Sequence, residues 1–378
     1  MAYYSIFPEK DATIYSNPDR DTLNTGNDEI LELVKEKGDN NNLYYPSRIL
    51  IQFKDSEINH IISNKITGNF SANLQLFSTE HKNLGQNQQI EVFAVSRSWD
   101  EGSGRYSNLP ILSNGCSWIY RDNITRKTEW ATSNFASGTT GSIGTSTLTQ
   151  GGGAWYTGSI FSNLQSFSNA EILDLNLNVT SIVQKFSSSI FSGQTYPTGI
   201  PNNGFIIKYP NNIETDTLSS KGTLSYFSVD THTIYPPKLT FKWDDSIHNK
   251  QSSAKTNGEL NVSLYRNKEE YNVNEEATFR LHVRDKYPNR SFNTTSNYLN
   301  VGYFTTSSYY SIRDAHTEEV VIPFDNDYTK LSADSEGMYF KIYMNGLQPE
   351  RYYRLLFKHI NNDGIEIFDN NYHFKVVR

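Results

Sequence analysis

The residues that most restrict the fold run from 224 to 245, LSYFSVDTHTIYPPKLTFKWDD. Leu224, Tyr226 and Ser228 alternate with Ser225 and Phe227; further on, Leu239, Phe241 and Trp243 alternate with Lys238, Thr240, Lys242 and Asp244. A period of two marks half-buried strands, because successive side chains of a strand point to opposite faces. Pro236 and Pro237 stand between the arms. They lack backbone donors and fix φ, so they belong to the approach to a strand and not to a ladder. The stretch predicts a hairpin that closes one large β domain, with the residues after it forming an added module.

Upstream, strands are expected at Asp11–Ser16, Ser47–Lys54, Asn73–Thr79 and Gln89–Val95, and at the run EILELVKE, where Leu31 and Leu33 share one face. Short strands separated by turn signals such as Asn17-Pro18 and Thr25-Gly26-Asn27 indicate a sandwich or barrel, not βαβ units. A short helix fits residues 56–66, and a second begins after Thr180, where Ile182, Val183 and Phe186 take helical spacing and Thr180 is placed to cap it. The Gly-, Ser- and Thr-rich residues 133–158 read as a surface excursion. Residues 201–210, PNNGFIIKYP, read as a turn leading into a buried strand.

Residues 246–258, SIHNKQSSAKTNG, carry no periodic apolar residues and have a linker's composition. From Glu259 the segments ELNVSLYR, ATFRLHVRD, SYYSIRD, EEVVIPFD, GMYFKIYMN, RYYRLLFKHI and NYHFKVVR give seven strands, the number of an immunoglobulin-like sandwich, without the Cys and Trp hallmarks of true immunoglobulin domains. The expected organisation is therefore all-β: a jelly-roll-like sandwich over 1–245, a linker over 246–258 and an immunoglobulin-like sandwich over 259–378.

Charge and cysteine content narrow the function. A formal charge of -7 argues against a protein built to hold nucleic acid through its phosphates, which requires a net basic face. Cys116 is the one cysteine, so no intrachain disulfide can form, as fits folding in a reducing cytoplasm. No apolar run approaches the roughly 18 residues of a membrane span, and the first residues carry no export signal. A surface rich in Tyr and Asn on a chain that folds in the cytoplasm is a combination met in virion proteins, which fold inside a host and work outside it.

The order of features over 11–244 resembles the DNRLRE-type β-sandwich module, a jelly-roll-like fold related in shape to carbohydrate-binding modules. The match is carried by DATIYS, SRILIQF, IEVFAVSRSWDEGSG, LNLNVTSIVQKF, and NNGFIIK followed by YFSVDTHTIYPPKLTFKW, with Arg48, Trp99, Glu101, Gly102, Thr180, Gly204, Phe205, Ser228, Pro237 and Leu239 at the matching positions. DTHTIYPPKLTFKWDD, the Gly/Ser/Thr insertion and the appended β domain are similar to virion structural proteins of T4-like marine and cyanobacterial tailed phages. This resemblance implies a non-enzymatic structural subunit of the particle, in the tail, baseplate or neck region, synthesised in the host cytoplasm. Its implied partners are other virion proteins in a multi-copy assembly.

The alternative is a carbohydrate-binding adhesion module for host surface polysaccharide, on a fibre or decorating the capsid, with sugar stacking on Trp99, Trp118, Trp130 or Trp155. A weaker one is a depolymerase with a pair of cleft carboxylates. Among ligands, Ca²⁺ has candidate oxygens in Asp11, Asp19, Asp21 and Asp28, although their spacing matches no defined calcium loop. Gly151-Gly152-Gly153 is not a phosphate loop, since no Gly-Lys-Ser/Thr follows it. Cys116 reads as a structural thiol, and His232 and His316 as turn histidines.

Overall fold

The structure, a computed structural model, describes residues 2–37, 44–130, 143–145, 151–191, 199–287, 292 and 301–378, the side chains of 143–145 and 187–191 excepted. In chain order its first strands are β1 (Ala2–Ile6), β2 (Lys10–Tyr15), β3 (Ile30–Lys37), β4 (Tyr44–Gln52), β5 (Phe70–Leu76), β6 (Ser78–Lys82), β7 (Asn87–Ala94), β8 (Tyr120–Asp122) and β9 (Thr128–Glu129). There follow β10 (Ile143–Thr145), β11 (Ala154–Tyr156), β12 (Ser162–Ser168), β13 (Leu175–Asn178), β14 (Phe205–Lys208), β15 (Gly222–Phe227) and β16 (Lys238–Trp243). Helices α1 (Asp55–Asn64), α2 (Thr180–Phe191) and α3 (Asn211–Glu214) interrupt them. The rest of the chain forms β17 (Leu260–Tyr265), β18 (Glu270–Asn272), β19 (Glu276–Asp285), β20 (Ser308–Asp314), β21 (Val320–Ile322), β22 (Ser332–Asp334), β23 (Gly337–Tyr343), β24 (Arg351–Asn361) and β25 (Gly364–Val377). The fold is all-β, as expected.

The residues gather into two compact units. The larger takes Ile6–Lys65 and Ser71–Thr240; the smaller takes Met1–Ser5, Ile66–Phe70 and Phe241–Arg378.

The larger unit is built on a sheet ordered β12-β7-β14-β4-β3-β15-β6, with β2 branching from β4. The fork lies within β4, whose Tyr44–Pro46 pair with β3 while Ser47–Gln52 pair with β2. Where β3 parts from β4, hydroxyls take over the ladder. Glu32 N–H donates to Thr13 Oγ1 at 3.0 Å, and Val34 N–H to Ser47 Oγ at 2.8 Å, so donors that would be left unpaired are satisfied. Alternation then decides which side chains point inward: Leu31, Leu33 and Lys35 are buried, while Ile30, Glu32, Val34 and Glu36 are partly open to solvent. Helices α1 and α2 lie together, burying Ile58, Ile61, Ile182, Val183 and Phe186.

Three expectations are corrected here. The arms around Pro236-Pro237 alternate as read, but they are not a hairpin. β15 pairs with β3 and β6 in the large sheet, whereas β16 neighbours β5 in a different sheet, in which β5 also pairs with β13. Alternation reports which face of a strand is buried and is silent about its partner, and the ten residues 228–237 are long enough to cross from sheet to sheet. Secondly, Thr180 starts α2 without acting as its cap. Its hydroxyl accepts the Ala72 N–H and donates to Asn178 Oδ1, and it is Asn178 that receives the Thr180 N–H at 3.0 Å. Thirdly, the Gly/Ser/Thr stretch lies largely outside the described residues, but its end is interior: Gly152 to Tyr156 are buried. The glycines permit this, for a Cβ on Gly152 would sit 2.7 Å from Trp118 Cζ2 and one on Gly153 2.7 Å from Ile206 Cδ1.

In the smaller unit the sheets β17-β19-β23-β22 and β18-β25-β24-β20-β21 enclose an aromatic core. Phe279 stacks on Phe340 with centroids 5.3 Å apart, and Tyr310 on Phe340 at 4.4 Å. All seven segments read as strands are strands; β18 and β22, three residues each, were too short to show a period. Tyr3 joins this core, and Asn345 Nδ2 donates to Ser5 O at 2.8 Å, so the first residues of the chain belong to the same unit as its last. Residues 246–258 hydrogen-bond onto it: Ala333 N–H donates to Ile247 O and Lys255 N–H to Tyr303 O, both at 2.8 Å.

Candidate functional site

Behind the face of the large sheet lies a buried ionic framework. Arg48, in the middle of β4, donates from Nε to Glu214 Oε1 at 3.0 Å and from Nη2 to Oε2 at 2.6 Å, while Nη1 reaches the Gly152 carbonyl. Its guanidinium lies 4.6 Å from the Trp118 ring centroid and 5.0 Å from that of Trp155. Lys208 Nζ contacts Glu214 Oε2 at 3.3 Å and donates to Tyr209 O and Asn211 Oδ1 at 2.6 and 2.9 Å. Burial lowers the Lys208 ammonium to a pKa of about 8 despite the Glu214 charge, which pulls the other way. A bidentate pair, with further bonds from Arg48 to a carbonyl and from Lys208 to Tyr209 O and Asn211 Oδ1, is what makes such burial tolerable.

The Trp-Asp-Glu-Gly turn is likewise framework. Trp99 Nε1 donates to Asn203 O at 2.9 Å, Lys10 Nζ donates to the Trp99 carbonyl, and the Asp11 N–H donates to Glu101 Oε1 at 2.9 Å. Burial raises the Glu101 carboxyl to a pKa of about 7, with the Asp11 N–H opposing the shift. The four tryptophans read as stacking platforms lie in one core cluster, none more than 2% exposed, so none offers an indole face to a sugar. Trp130 Nε1 is spent on Ser117 O at 2.9 Å. Cys116 is buried in the same cluster, and burial pushes its thiol far above the usual range.

The aspartates offered for Ca²⁺ serve separate contacts. Asp11 is buried and accepts the Val229 N–H at 2.7 Å; burial holds its carboxyl well above the usual range. Asp28 Oδ2 accepts the Tyr106 N–H at 2.8 Å, the Asp21 carbonyl accepts the Ile119 N–H at 3.2 Å, and the Asp19 N–H donates to Asn17 Oδ1 at 3.2 Å. Among the described residues no group of three or more His, Cys, Asp or Glu side chains is placed to hold a metal. His232 is in an exposed turn and His316 donates its N–H to Asp314 Oδ1 at 2.9 Å.

On the outward side of the same sheet is a trough that the sequence reading did not pick out. Two hollows of about 510 and 450 Å³ share Tyr15, Glu32, Lys82, Tyr106 and Thr223. The register of β15 on β3 sets Ser225 opposite Glu32 and Thr223 opposite Val34, so these positions share a face. One hollow extends to Asp28, Thr79, Glu80 and Ser225, the other to Arg20, Glu36, Lys37 and Tyr45. The Tyr15 hydroxyl donates to Glu32 Oε2 at 2.6 Å, fixing both groups. Burial, and then the Glu32 charge, hold the Tyr15 phenol well above its ordinary pKa, so it is a donor throughout the working range. Tyr106 stands at the wall, 42% exposed, its ring 5.2 Å from that of Tyr15 and covered by the Arg20 guanidinium 3.8 Å from its centroid.

No signal in the sequence alone marks this trough, because its residues come from six segments between positions 15 and 225. The outward parity of Glu32 and Glu36 on β3 was legible; the facing strand was not.

No protein-family model matches the chain, and no curated protein does. Among solved structures, the chain is similar to the apo form of β-glucuronidase 3 of Bacteroides uniformis at 9% identity and a TM-score of 0.19, over 96% of this chain and 29% of that one. A β-glucuronidase of Parabacteroides merdae follows at 8% identity and a TM-score of 0.15, over 96% and 36%. The chain thus spans about a third of the length of these enzymes, and likenesses this slight carry no argument about fold or activity.

Proposed function

We propose that this chain is a non-enzymatic structural protein of a tailed-bacteriophage particle, placed in its tail, baseplate or neck and acting through contacts between subunits. The reading starts from the resemblance carried by Arg48, Trp99, Glu101, Gly204 and Ser228. One observation supports it: these residues are tied into the framework of a single unit. Arg48 is clamped by Glu214, Trp99 by Asn203 O, and Glu101 by the Asp11 N–H; the Ser228 hydroxyl donates to Asp28 O at 2.5 Å, and the Gly204 carbonyl accepts the Val95 N–H at 2.9 Å. A rigid sandwich of this kind presents its loops at fixed positions, and each contact with a neighbouring subunit is expected to bury on the order of 1,000 Å² or more. The trough favours a second reading, in which the chain is a carbohydrate-binding adhesion module on the particle.

Quantitative mass spectrometry of purified particles tests the first reading. The expected result is the chain at a fixed ratio to the major capsid or tail protein. Its absence from particles would overturn the assignment.

A further inference from the structure

We infer that the trough over β3, β6 and β15 is a binding site for an uncharged oligosaccharide, contacted through Glu32, Tyr106 and Thr223; the inference deepens the adhesive reading and rests on it. The volume suits a short saccharide, since hollows of a few hundred Å³ are the ordinary size of small-ligand sites. The lining selects the class. The walls hold the carboxylates of Asp28, Glu32, Glu36 and Glu80, the cationic groups of Arg20, Lys37 and Lys82, and the hydroxyls of Tyr15, Thr79, Thr223 and Ser225.

Donors and acceptors in near balance match a polyol, whose every hydroxyl both gives and takes a hydrogen bond. An anion would meet four carboxylates against three cations, and an apolar ligand would strand the charged groups. An extended peptide finds no free ladder on β3 or β15, because β3 is paired with β15 from Ile30 to Lys35, the other edge of β3 is taken by Thr13 and Ser47 hydroxyls and by β4, and β15 pairs with β6 on its far side. Recognition falls to side chains. Glu32 is already fixed through Oε2 by Tyr15, which leaves Oε1 as the acceptor for a sugar hydroxyl. The Tyr106 side chain, held by Arg20 over its ring and by the residue's backbone N–H on Asp28, supplies in the part that Arg20 and Tyr15 leave open the rigid amphipathic surface against which the C–H face of a pyranose packs. That no indole reaches the surface does not weaken the site, since tyrosine serves the same purpose with a hydroxyl added.

The test is binding of the purified full chain to a printed array of uncharged and acidic oligosaccharides, with the variants Tyr106→Ala and Glu32→Gln alongside. Retention on uncharged spots is expected, weakened at least tenfold by either substitution. Because the Tyr106 ring is half exposed, its variant should keep the wild-type melting temperature, so loss of binding will not report loss of fold. The inference is overturned if uncharged spots retain nothing, if acidic spots are preferred, or if both variants bind as the wild type does. Failure here leaves the particle assignment standing on its own mass-spectrometric test, and binding by a chain absent from particles does the reverse.

Discussion

Glu214 neutralises two cations at once, and the asymmetry of that arrangement can be measured. Glu214→Gln leaves Arg48 buried without its counter-charge and takes from Lys208 its ion-pair partner, and is expected to cost about 3–5 kcal/mol in urea unfolding. Arg48→Met keeps the Glu214–Lys208 contact and should cost clearly less. Two other buried groups give the molecule opposite dependences on pH. Glu101 keeps its proton up to about 7, above the ordinary carboxyl value of 4.5, so the folded state holds a proton that the unfolded chain releases. Stability from this group is full below pH 4.5 and is lost as pH rises to about 7, a slope that Glu101→Gln should remove. His359 is buried in the smaller unit, stacked on Phe304 at 4.4 Å, its Nε2 accepting the Thr305 N–H at 3.2 Å, and burial lowers its pKa from 6.5 to about 4. The unfolded chain takes up a proton that the fold refuses, so stability declines as pH falls from 6.5 towards 4, by up to about 3 kcal/mol. Because the two windows overlap between pH 4.5 and 6.5 with opposite signs, each slope shows in the variant that lacks the other group: urea midpoints from pH 4 to 8 should fall towards acid in Glu101→Gln and towards alkali in His359→Gln.

Among elements, the strands that the sequence made legible were those of strong alternation. Leu31 and Leu33, and Leu239 and Phe241, are buried as their parity says, and the seven runs of the C-terminal part are strands. What parity could not tell was pairing, and the departure of β16 from β15 is the clearest case. This has a consequence for the loop between them. In a hairpin, lengthening the turn shifts register; here, four Gly/Ser residues inserted after the exposed His232 are expected to cost under about 1 kcal/mol, as loop closure alone requires, which thermal unfolding will check. Close backbone approach behaves in the opposite way. Gly204 has φ +86° and a Cβ there would collide with the Ile51 carbonyl oxygen, so Gly204→Ala should destabilise by more than about 1 kcal/mol and loosen the seam between β14 and β4. Arg48 and Lys208 show the other limit of sequence reading. Charged residues on strands are assigned to water by default, and the partner that brings both inside, Glu214, is 166 residues from Arg48 along the chain. The trough escaped notice for a similar reason, its floor being made by residues whose adjacency only the β15–β3 register creates.

For the molecule as a whole, the path of the chain matters more than its composition. Met1–Ser5 and Phe241–Arg378 belong to the same compact unit, and the larger unit is threaded between them. A fragment starting at Phe241 would lack Tyr3 from its aromatic core and the Ser5 carbonyl that Asn345 uses. It is expected to unfold at lower urea than the same unit within the full chain, and a peptide spanning the first residues should restore part of the difference. The same threading sets a mechanical load path. Tension applied through handles at residues 1 and 378 enters and leaves by the smaller unit, so the larger one is shielded until the first strand peels away; stretched singly in optical tweezers, the chain should give an early short step and only afterwards the long extension of the larger unit. That order would spare the trough from load for as long as one short strand holds.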